Sequence, residues 1–223
     1  MADQAARLVV RIYNYTKKAF STIVRGFHKE VLLFRLFGIP VYLGMVFFLI
    51  GLIPLFLFIV VPPSPYTIYG VFLPPRSLIS ELKDLTLKIP LYLLAAFISV
   101  LVHELGHAFF VRRNQLPVER IYISAFYGFC RYSYPSNIVP PVSIAYGGVL
   151  AQALLSVVLQ GYLLLVLPDS YGTPGYIVQF HFFLLLLLGF NYCMIVINLF
   201  PIPGLDGEII WDHLESLQRK KSK

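Results

Sequence analysis

Two histidines and a glutamate interrupt an apolar stretch in the middle of the chain. The stretch reads FISVLVHELGHAFFVRR and contains His103, Glu104 and His107. On a helix, residues four apart share one face, so both imidazoles can reach a single metal ion at about 2.0–2.1 Å. Glu104 is displaced by one position and lies beside such an ion without ligating it, where a carboxylate serves as a general base. The pattern therefore predicts a zinc site with a neighbouring base.

The surrounding composition is that of an integral membrane protein. Hydrophobic residues make up 58% of the chain and charged residues only 13%, whereas soluble domains are about half apolar and about a quarter charged. An HExxH pattern on a soluble helix is often only a solvated face, but ionisable groups inside a membrane span are rare and usually functional. Cys130 and Cys193 form no CxxC pair, which indicates neither a disulfide framework nor a thiolate zinc site.

Four apolar segments are long enough to cross a bilayer, which requires about 20 residues each. They predict an all-α membrane fold with four transmembrane helices, the second of which carries the two histidines. In chain order the segments are roughly Gly38–Val61, Ile89–Val111, Val142–Leu167 and Tyr176–Phe200. The first has no small-residue cleavage site close behind it, so we interpret it as a retained span. β-Branched and aromatic residues in the loop 118–134 predict a small β-hairpin after the second span.

Lysines and arginines set the expected orientation. Fifteen of the 18 lie in residues 1–40, in the loop after the second span and in the C-terminal tail, which predicts that both termini are cytosolic. The net charge of +7 is explained by contact with anionic lipid, so no nucleic-acid partner is expected.

The same distribution divides the chain into three parts. Residues 1–37 form a basic segment. Its apolar residues recur at helical spacing from about Arg7 to Phe37, which predicts an amphipathic helix on the membrane surface. The alternative interpretation of this segment is an organelle transit peptide. Residues 38–211 form the transmembrane core. Residues 212–223 form a basic cytosolic tail.

A catalytic zinc needs a third protein ligand and one open position. In this topology His181 lies near the opposite membrane face, and Glu119 lies in a soluble loop. Asp206 follows the Pro- and Gly-broken end of the fourth span, NLFPIPGLDGEII, at the same cytosolic level as His103 and His107. From the residues alone, Asp206 is equally well explained as an exposed helix N-cap.

The two motifs together, HELGH at the cytosolic end of one span and NxxPxxxLDG at the end of a later one, resemble the site-2 protease family of intramembrane zinc metalloproteases. The resemblance covers roughly Ile89 to Trp211. It implies that His103, His107 and Asp206 bind one Zn²⁺ per chain and that Glu104 is the catalytic base.

The resemblance also suggests two contacts to the substrate. Asn198 matches the asparagine of the family's NLxP element, which implies a contact with the substrate or the oxyanion. Gln152, in YGGVLAQ, stands where the family commonly has an asparagine, and its amide can hydrogen-bond a substrate backbone or a catalytic water. By the same resemblance the strands after the second span line the entrance to the site, and the chain is a minimal core without a PDZ or CBS domain. A prokaryotic inner membrane is favoured, with an organelle membrane as the alternative.

The expected function is cleavage of the transmembrane segments of single-span membrane proteins near the cytosolic face, for regulated proteolysis or clearance of membrane stubs. A catalytically silent scaffold that binds membrane helices is the alternative, although the intact Glu104 argues against it. A membrane HExxH protease of the kind that trims prenylated proteins would take a glutamate, not Asp206, as third ligand. Ion transport is disfavoured because the polar groups cluster at one membrane face.

Overall fold

The computed structural model of the chain describes residues 30–53, 56, 67–68, 71–72, 78–124, 127–135, 141–166 and 175–221. The described strands are β1 Glu30–Leu36, β2 Ile39–Gly44, β3 Thr67–Ile68, β4 Val71–Phe72, β5 Val118–Ile123 and β6 Gly128–Tyr132. The described α-helices are α1 Leu78–Arg113, α2 Val142–Val166, α3 Gly175–Leu199 and α4 Asp206–Lys221, and a 3-10 helix covers Met45–Gly51. The described part of the chain is therefore mostly helical, with a small sheet.

Three of the described helices are long and apolar enough to cross a membrane: Lys88–Arg113 within α1, Val142–Val166, and Ile177–Leu199 within α3. They match the second, third and fourth apolar segments of the sequence, and all three pack against one another. Helices α1 and α2 approach each other closely where Gly106 and Gly147 face each other. A Cβ atom on either glycine would clash with the backbone of the other, so small residues let these two helices meet.

A four-stranded sheet covers one side of α1. Its strand order is β1-β2-β5-β6, with β2 parallel to β5 and the other neighbouring pairs antiparallel. The hairpin expected after the histidine-bearing helix is present as β5 and β6, but it belongs to this larger sheet. One face of the sheet is buried against the middle of α1; the buried residues of this core include Ile39, Val41, Ile121, Ile123, Ala96, Val100 and Ala108. The sheet thus fixes β6 beside the part of α1 that carries the histidines.

The structure differs from the sequence prediction at the first apolar segment, which we expected to be a helix. Its described part, residues 38–53 and 56, begins as β2, continues as the 3-10 helix and is α-helical at 52, 53 and 56. A turn in which Phe37 and Gly38 have φ values of 51° and 80° reverses the chain. Strand β2 then pairs with β1 on one side and β5 on the other, so its backbone groups are hydrogen-bonded without a helix. Residues 54–55 and 57–61 of this segment lie outside the described residues.

The structure also differs from the predicted N-terminal amphipathic helix in the part of that segment that it describes. Residues 1–29 lie outside the described residues, and Glu30–Leu36 is strand β1. Apolar side chains are exposed along this strand, on positions that do not follow helical spacing; they are Val31, Leu32, Leu33 and Phe34. Pairing with β2 therefore overrides the helical periodicity in this stretch.

Candidate metal centre

Helix α1 brings the two histidines of the HExxH pattern together. His103 and His107 are both buried, one turn apart on the same face. Their Nε2 atoms lie 3.0 Å apart, and their rings meet edge to face. Both Nε2 atoms therefore point into the same small space.

Asp206 reaches this space from another element. It is the first residue of α4, and its Oδ2 atom lies 3.2 Å from the Nε2 of His103 and 3.3 Å from the Nε2 of His107. Asp206 is part-buried, which excludes the exposed N-cap interpretation. The structure thus brings together all three residues that the sequence suggested as ligands.

The turn between α3 and α4 is built to place Asp206. Gly204 has a φ of 88°, which favours glycine, and its backbone N–H donates to Glu208 Oε2 at 2.9 Å. The indole N–H of Trp211 donates to the carbonyl oxygen of Leu199 at 2.9 Å. These contacts tie the first turns of α4 to the end of α3 and so hold the carboxylate against α1.

The three converging atoms fit a zinc ion. Ligands that bind zinc tetrahedrally at about 2.0–2.1 Å lie about 3.3–3.4 Å from one another. The measured separations among the two Nε2 atoms and Oδ2 are 3.0, 3.2 and 3.3 Å. Two imidazoles and one carboxylate are also an ordinary donor set for catalytic zinc, and they leave a fourth position open.

The other nitrogen of each imidazole is occupied by a carbonyl oxygen. His107 Nδ1 lies 2.7 Å from the backbone oxygen of Ile144, and His103 Nδ1 lies 3.2 Å from Gln152 Oε1. A carbonyl oxygen accepts a hydrogen bond, so each Nδ1 carries the proton and each Nε2 presents a lone pair. Such outer contacts are what orient histidines that ligate metals.

The charge of Asp206 suits a ligand. Burial alone would raise its pKa, but the two facing imidazoles lower the pKa of this carboxyl below its usual range. Its Oδ2 atom is buried and accepts no geometrically satisfactory hydrogen bond among the described residues. An ionised carboxylate oxygen without such a donor is available to a cation.

Glu104 lies in the same cavity, 2% exposed. Strand β6 covers it closely: a Cβ atom on Gly128 would lie 2.5 Å from Glu104 Oε1, and the backbone N–H of Cys130 faces the carboxylate. Glu104 Oε2 has no hydrogen-bond partner among the described residues. Glu104 is thus a buried carboxylate with a free oxygen in the cavity lined by the three candidate ligands, and a carboxylate so placed can serve as a general base.

The cavity around these residues has a volume of about 240 Å³. Its walls come from α1, β6, the first turn of α2, the last turns of α3 and the turn into α4. Asn198 lines it, and its amide nitrogen donates to the backbone oxygen of Met194 at 3.0 Å. Burial raises the pKa of the Cys130 thiol to about 12, so this cavity residue is a neutral thiol near pH 7 in the metal-free protein.

The structure places Gln152 away from the cavity lining. Its side chain is fully buried, with Oε1 on His103 and Nε2 3.4 Å from Ser99 Oγ. A contact between Gln152 and a substrate or oxyanion stays a prediction, and the geometry adds a second role, orientation of His103. His181, rejected as a ligand from the sequence, is buried 18 residues before the end of α3, about 27 Å along the helix. Glu119 forms a surface ion pair with Arg131 at 3.0 Å.

Sequence reasoning missed the residues that make room for the site. Gly128 gives space to Glu104, and Gly148 gives space to the His103 ring, which a Cβ atom would approach to 2.5 Å. The backbone oxygen of Ile144 and the hydroxyl of Ser99 also went unnoticed. The adjacent glycines of YGGVLAQ were the available signal, but spacing alone does not tell which side chain a glycine faces.

No protein-family model matches the chain, and no curated protein matches it. Among solved structures, the chain is similar to the site-2 protease from Methanocaldococcus jannaschii. The two are 21% identical, the match covers 84% of this chain and 72% of that chain, and the TM-score is 0.49. Similarity at this level assigns neither a family nor an activity, so the function has to be argued from the site itself.

Proposed function

We propose that the chain is a zinc-dependent intramembrane endopeptidase that cuts transmembrane segments of other membrane proteins near the cytosolic face. The observation that carries the proposal is the convergence of His103 Nε2, His107 Nε2 and Asp206 Oδ2 within 3.3 Å of one another, with Glu104 in the same cavity. Two of the ligands and the base lie on a helix long and apolar enough to cross a membrane. In this proposal water and the substrate peptide react in the cavity between α1, α2 and α3, away from the lipid.

The residues divide the chemistry among them. His103, His107 and Asp206 would hold a zinc ion, which would supply a Lewis acid for polarising the scissile carbonyl and activating water. Glu104 takes the proton of the attacking water and later gives it to the leaving amine. Asn198 lines the cavity and can hydrogen-bond the substrate backbone or the developing oxyanion. Its position in the last turn of α3, eight residues before Asp206, supports that role.

Strand β6 supports binding of the substrate in an extended form. It is the terminal strand of the order β1-β2-β5-β6, and its residues form one wall of the cavity. A strand at a sheet edge offers backbone groups to an added strand. A substrate helix shields its peptide bonds with its own hydrogen bonds, so a segment that unwinds and pairs with β6 exposes a bond next to Glu104.

The orientation and the partners complete the proposal. Both termini are cytosolic, as the distribution of Lys and Arg indicates, and the substrates are single-span membrane proteins. A prokaryotic inner membrane is the favoured location. Cleavage at this depth releases a cytosolic fragment, for signalling or for clearance of membrane stubs.

The test is a comparison of the Glu104→Gln variant with wild type. Membrane and cytosolic proteomes of cells expressing each form are quantified, and the zinc content of each purified protein is measured. Glu119→Gln, the same chemical change at an exposed surface carboxylate, is the matched control. We expect cytosolic fragments only with wild type and Glu119→Gln, accumulation of their membrane-bound precursors with Glu104→Gln, and zinc in all three proteins.

Two results would contradict the proposal in different ways. Equal proteomes for all three proteins, with zinc bound in each, would favour a silent scaffold that binds membrane helices. Absence of zinc from purified wild type after growth with zinc would remove the metal centre itself.

A further inference from the structure

A second group of polar side chains lies behind the metal centre, inside the helix bundle. It consists of Ser99 on α1, Gln152 and Ser156 on α2, and Asn191 on α3. All four are at most 3% exposed. Polar side chains at such positions in membrane-spanning helices are costly unless they have hydrogen-bond partners. The group is called the polar layer below.

The helix registers bring the four residues to nearly the same height in the bundle. Gln152 contacts Ser99 directly, and Ser156 follows Gln152 by one turn on the same face of α2. The ring contact between Tyr92 and Phe182 sets the register of α1 against α3. Ser99 lies seven residues after Tyr92, and Asn191 lies nine residues after Phe182, about 10 and 14 Å further along their helices.

The hydrogen bonds within the layer are incomplete. Ser156 Oγ and Asn191 Oδ1 are buried and have no partner among the described residues. The amide nitrogen of Asn191 donates to Leu187 of its own helix at 2.8 Å. Gln152 Nε2 carries two N–H groups, and its contact with Ser99 Oγ, at 3.4 Å, uses one of them. Hydrogen-bonding groups without a full set of partners therefore remain on Gln152, Ser156 and Asn191, at nearly the same height in the bundle.

The side of the layer that faces away from the metal centre is closed by apolar residues. Ala95, Leu159 and Leu187 belong to one buried cluster, roughly one turn beyond the layer on each of the three helices. On the other side, Gln152 leads directly to His103. A molecule bound inside the polar layer is therefore connected by hydrogen bonds, through Gln152, to His103, and apolar side chains separate it from the opposite membrane face.

We propose that the polar layer is a binding site for internal water, and that this water locks the side-chain amide of Gln152 with Oε1 toward His103. A water molecule accepts the second N–H of Gln152 and donates to Asn191 Oδ1 and Ser156 Oγ. Buried waters commonly make about three hydrogen bonds of this kind. The functional part of this inference rests on the proposed metal centre, whereas the water site itself does not.

The lock follows from the two orientations open to an amide. With Oε1 toward His103, Gln152 accepts the Nδ1 proton, and His103 Nε2 keeps its lone pair for the metal. In the flipped orientation the amide would donate to Nδ1, the proton would move to Nε2, and His103 could not bind a metal. Acceptors around the Nε2 end of Gln152, namely Ser99 and the water, select the first orientation.

The first experiment tests the water site by the sign of a stability change in the metal-free protein. A buried hydroxyl without a partner destabilises the fold, so its removal would raise the unfolding temperature. If Ser156 binds water, Ser156→Ala instead lowers the unfolding temperature, by about 2–4 °C. Asn191→Leu should also lower the unfolding temperature. The double variant should lower it by less than the sum of the two single decreases, because both residues bind the same water. A rise with Ser156→Ala, or strict additivity, would overturn the water site.

The second experiment tests the lock through zinc affinity, measured by competition with a chelator. Gln152→Met, which keeps the shape but not the hydrogen bonds, should weaken zinc binding about 10- to 100-fold. Ser99→Ala should weaken zinc binding less than Gln152→Met does. Gln152→Glu, whose carboxylate can only accept the Nδ1 hydrogen bond, should bind zinc with nearly wild-type affinity. Unchanged affinity in Gln152→Met would overturn the lock. Loss of zinc by wild type itself would instead refute the metal centre while leaving the stability result to decide the water site.

Discussion

Replacing Gly148 by alanine should disturb the proposed metal centre although no proposed ligand is replaced. A Cβ atom at this position would lie 2.5 Å from Cε1 of His103 and 2.7 Å from both ring nitrogens. Ordinary contact begins near 3.4 Å, so the ring or helix α2 must move by about 0.9 Å. Metal–ligand distances tolerate about 0.2 Å. His103 Nε2, now 3.0 Å from His107 Nε2, therefore leaves a position in which all three ligands reach one ion.

The expected result for Gly148→Ala is a folded protein whose affinity for zinc is at least about tenfold lower, by analogy with lost outer contacts at other metal sites. Chelator competition gives the affinity, and circular dichroism on heating gives the stability. Gly161→Ala is the matched control, since Gly161 lies on the same helix with nothing within 4 Å of an added Cβ. It should keep zinc affinity and gain up to about 1 kcal/mol of stability, because alanine is the better helix former.

Two results would contradict the prediction for Gly148→Ala and its control Gly161→Ala. Gly148→Ala could bind zinc with wild-type affinity, which would mean that the His103 ring does not lie against α2. The Gly161→Ala control could lose zinc to the same extent, which would mean that the affinity follows the general flexibility of α2 and not the space beside His103.

Further outcomes follow from other parts of the site. Glu104→Gln should retain zinc but lose about 10²- to 10⁴-fold in the rate of substrate cleavage, the usual contribution of a general base, as measured by fragment release from the substrates found by proteomics. Asp206→Ala should lose stoichiometric zinc on dialysis, and zinc retained in this variant would favour a different third ligand. Cys130, with its pKa raised to about 12, is a thiol below that pH, so at pH 8 only about one molecule in 10⁴ is ionised. Its alkylation in the folded protein should be about a thousandfold slower than in the unfolded chain, by mass spectrometry. Trp211, the single tryptophan, lies five residues after Asp206 on α4 and donates a hydrogen bond to Leu199. Its fluorescence should therefore change when zinc is added and should stay constant in Asp206→Ala.

The fold shows where hydropathy is informative and where it fails. Three apolar segments form helices of spanning length because an isolated backbone in hydrocarbon must satisfy its own hydrogen bonds. The first apolar segment, equally hydrophobic, begins as strand β2 because β1 and β5 supply partners on both sides. Hydropathy reports the environment of the side chains, and it does not report which neighbour will hydrogen-bond the backbone. The Glu30–Leu36 stretch was misread as helix for the same reason.

The sequence by itself determined which atoms can do chemistry. The spacing of His103 and His107 places both rings on one helical face in any helix, since that follows from 3.6 residues per turn. The broken segment before Asp206 likewise indicated a carboxylate at the end of a span. What remained open in the residues was whether Asp206 faces the two histidines or is an exposed cap, and its Oδ2 atom, 3.2 and 3.3 Å from the two Nε2 atoms, faces them.

Only the tertiary structure decided how the ligands are oriented. The contacts that leave both Nε2 lone pairs free come from the Ile144 carbonyl and from Gln152, both on α2 and far from α1 in sequence. The space beside Glu104 comes from Gly128 on β6. Helical spacing fixes neighbours within one element through covalent geometry, whereas contacts between elements depend on how α1, α2 and the sheet pack, which no local pattern specifies.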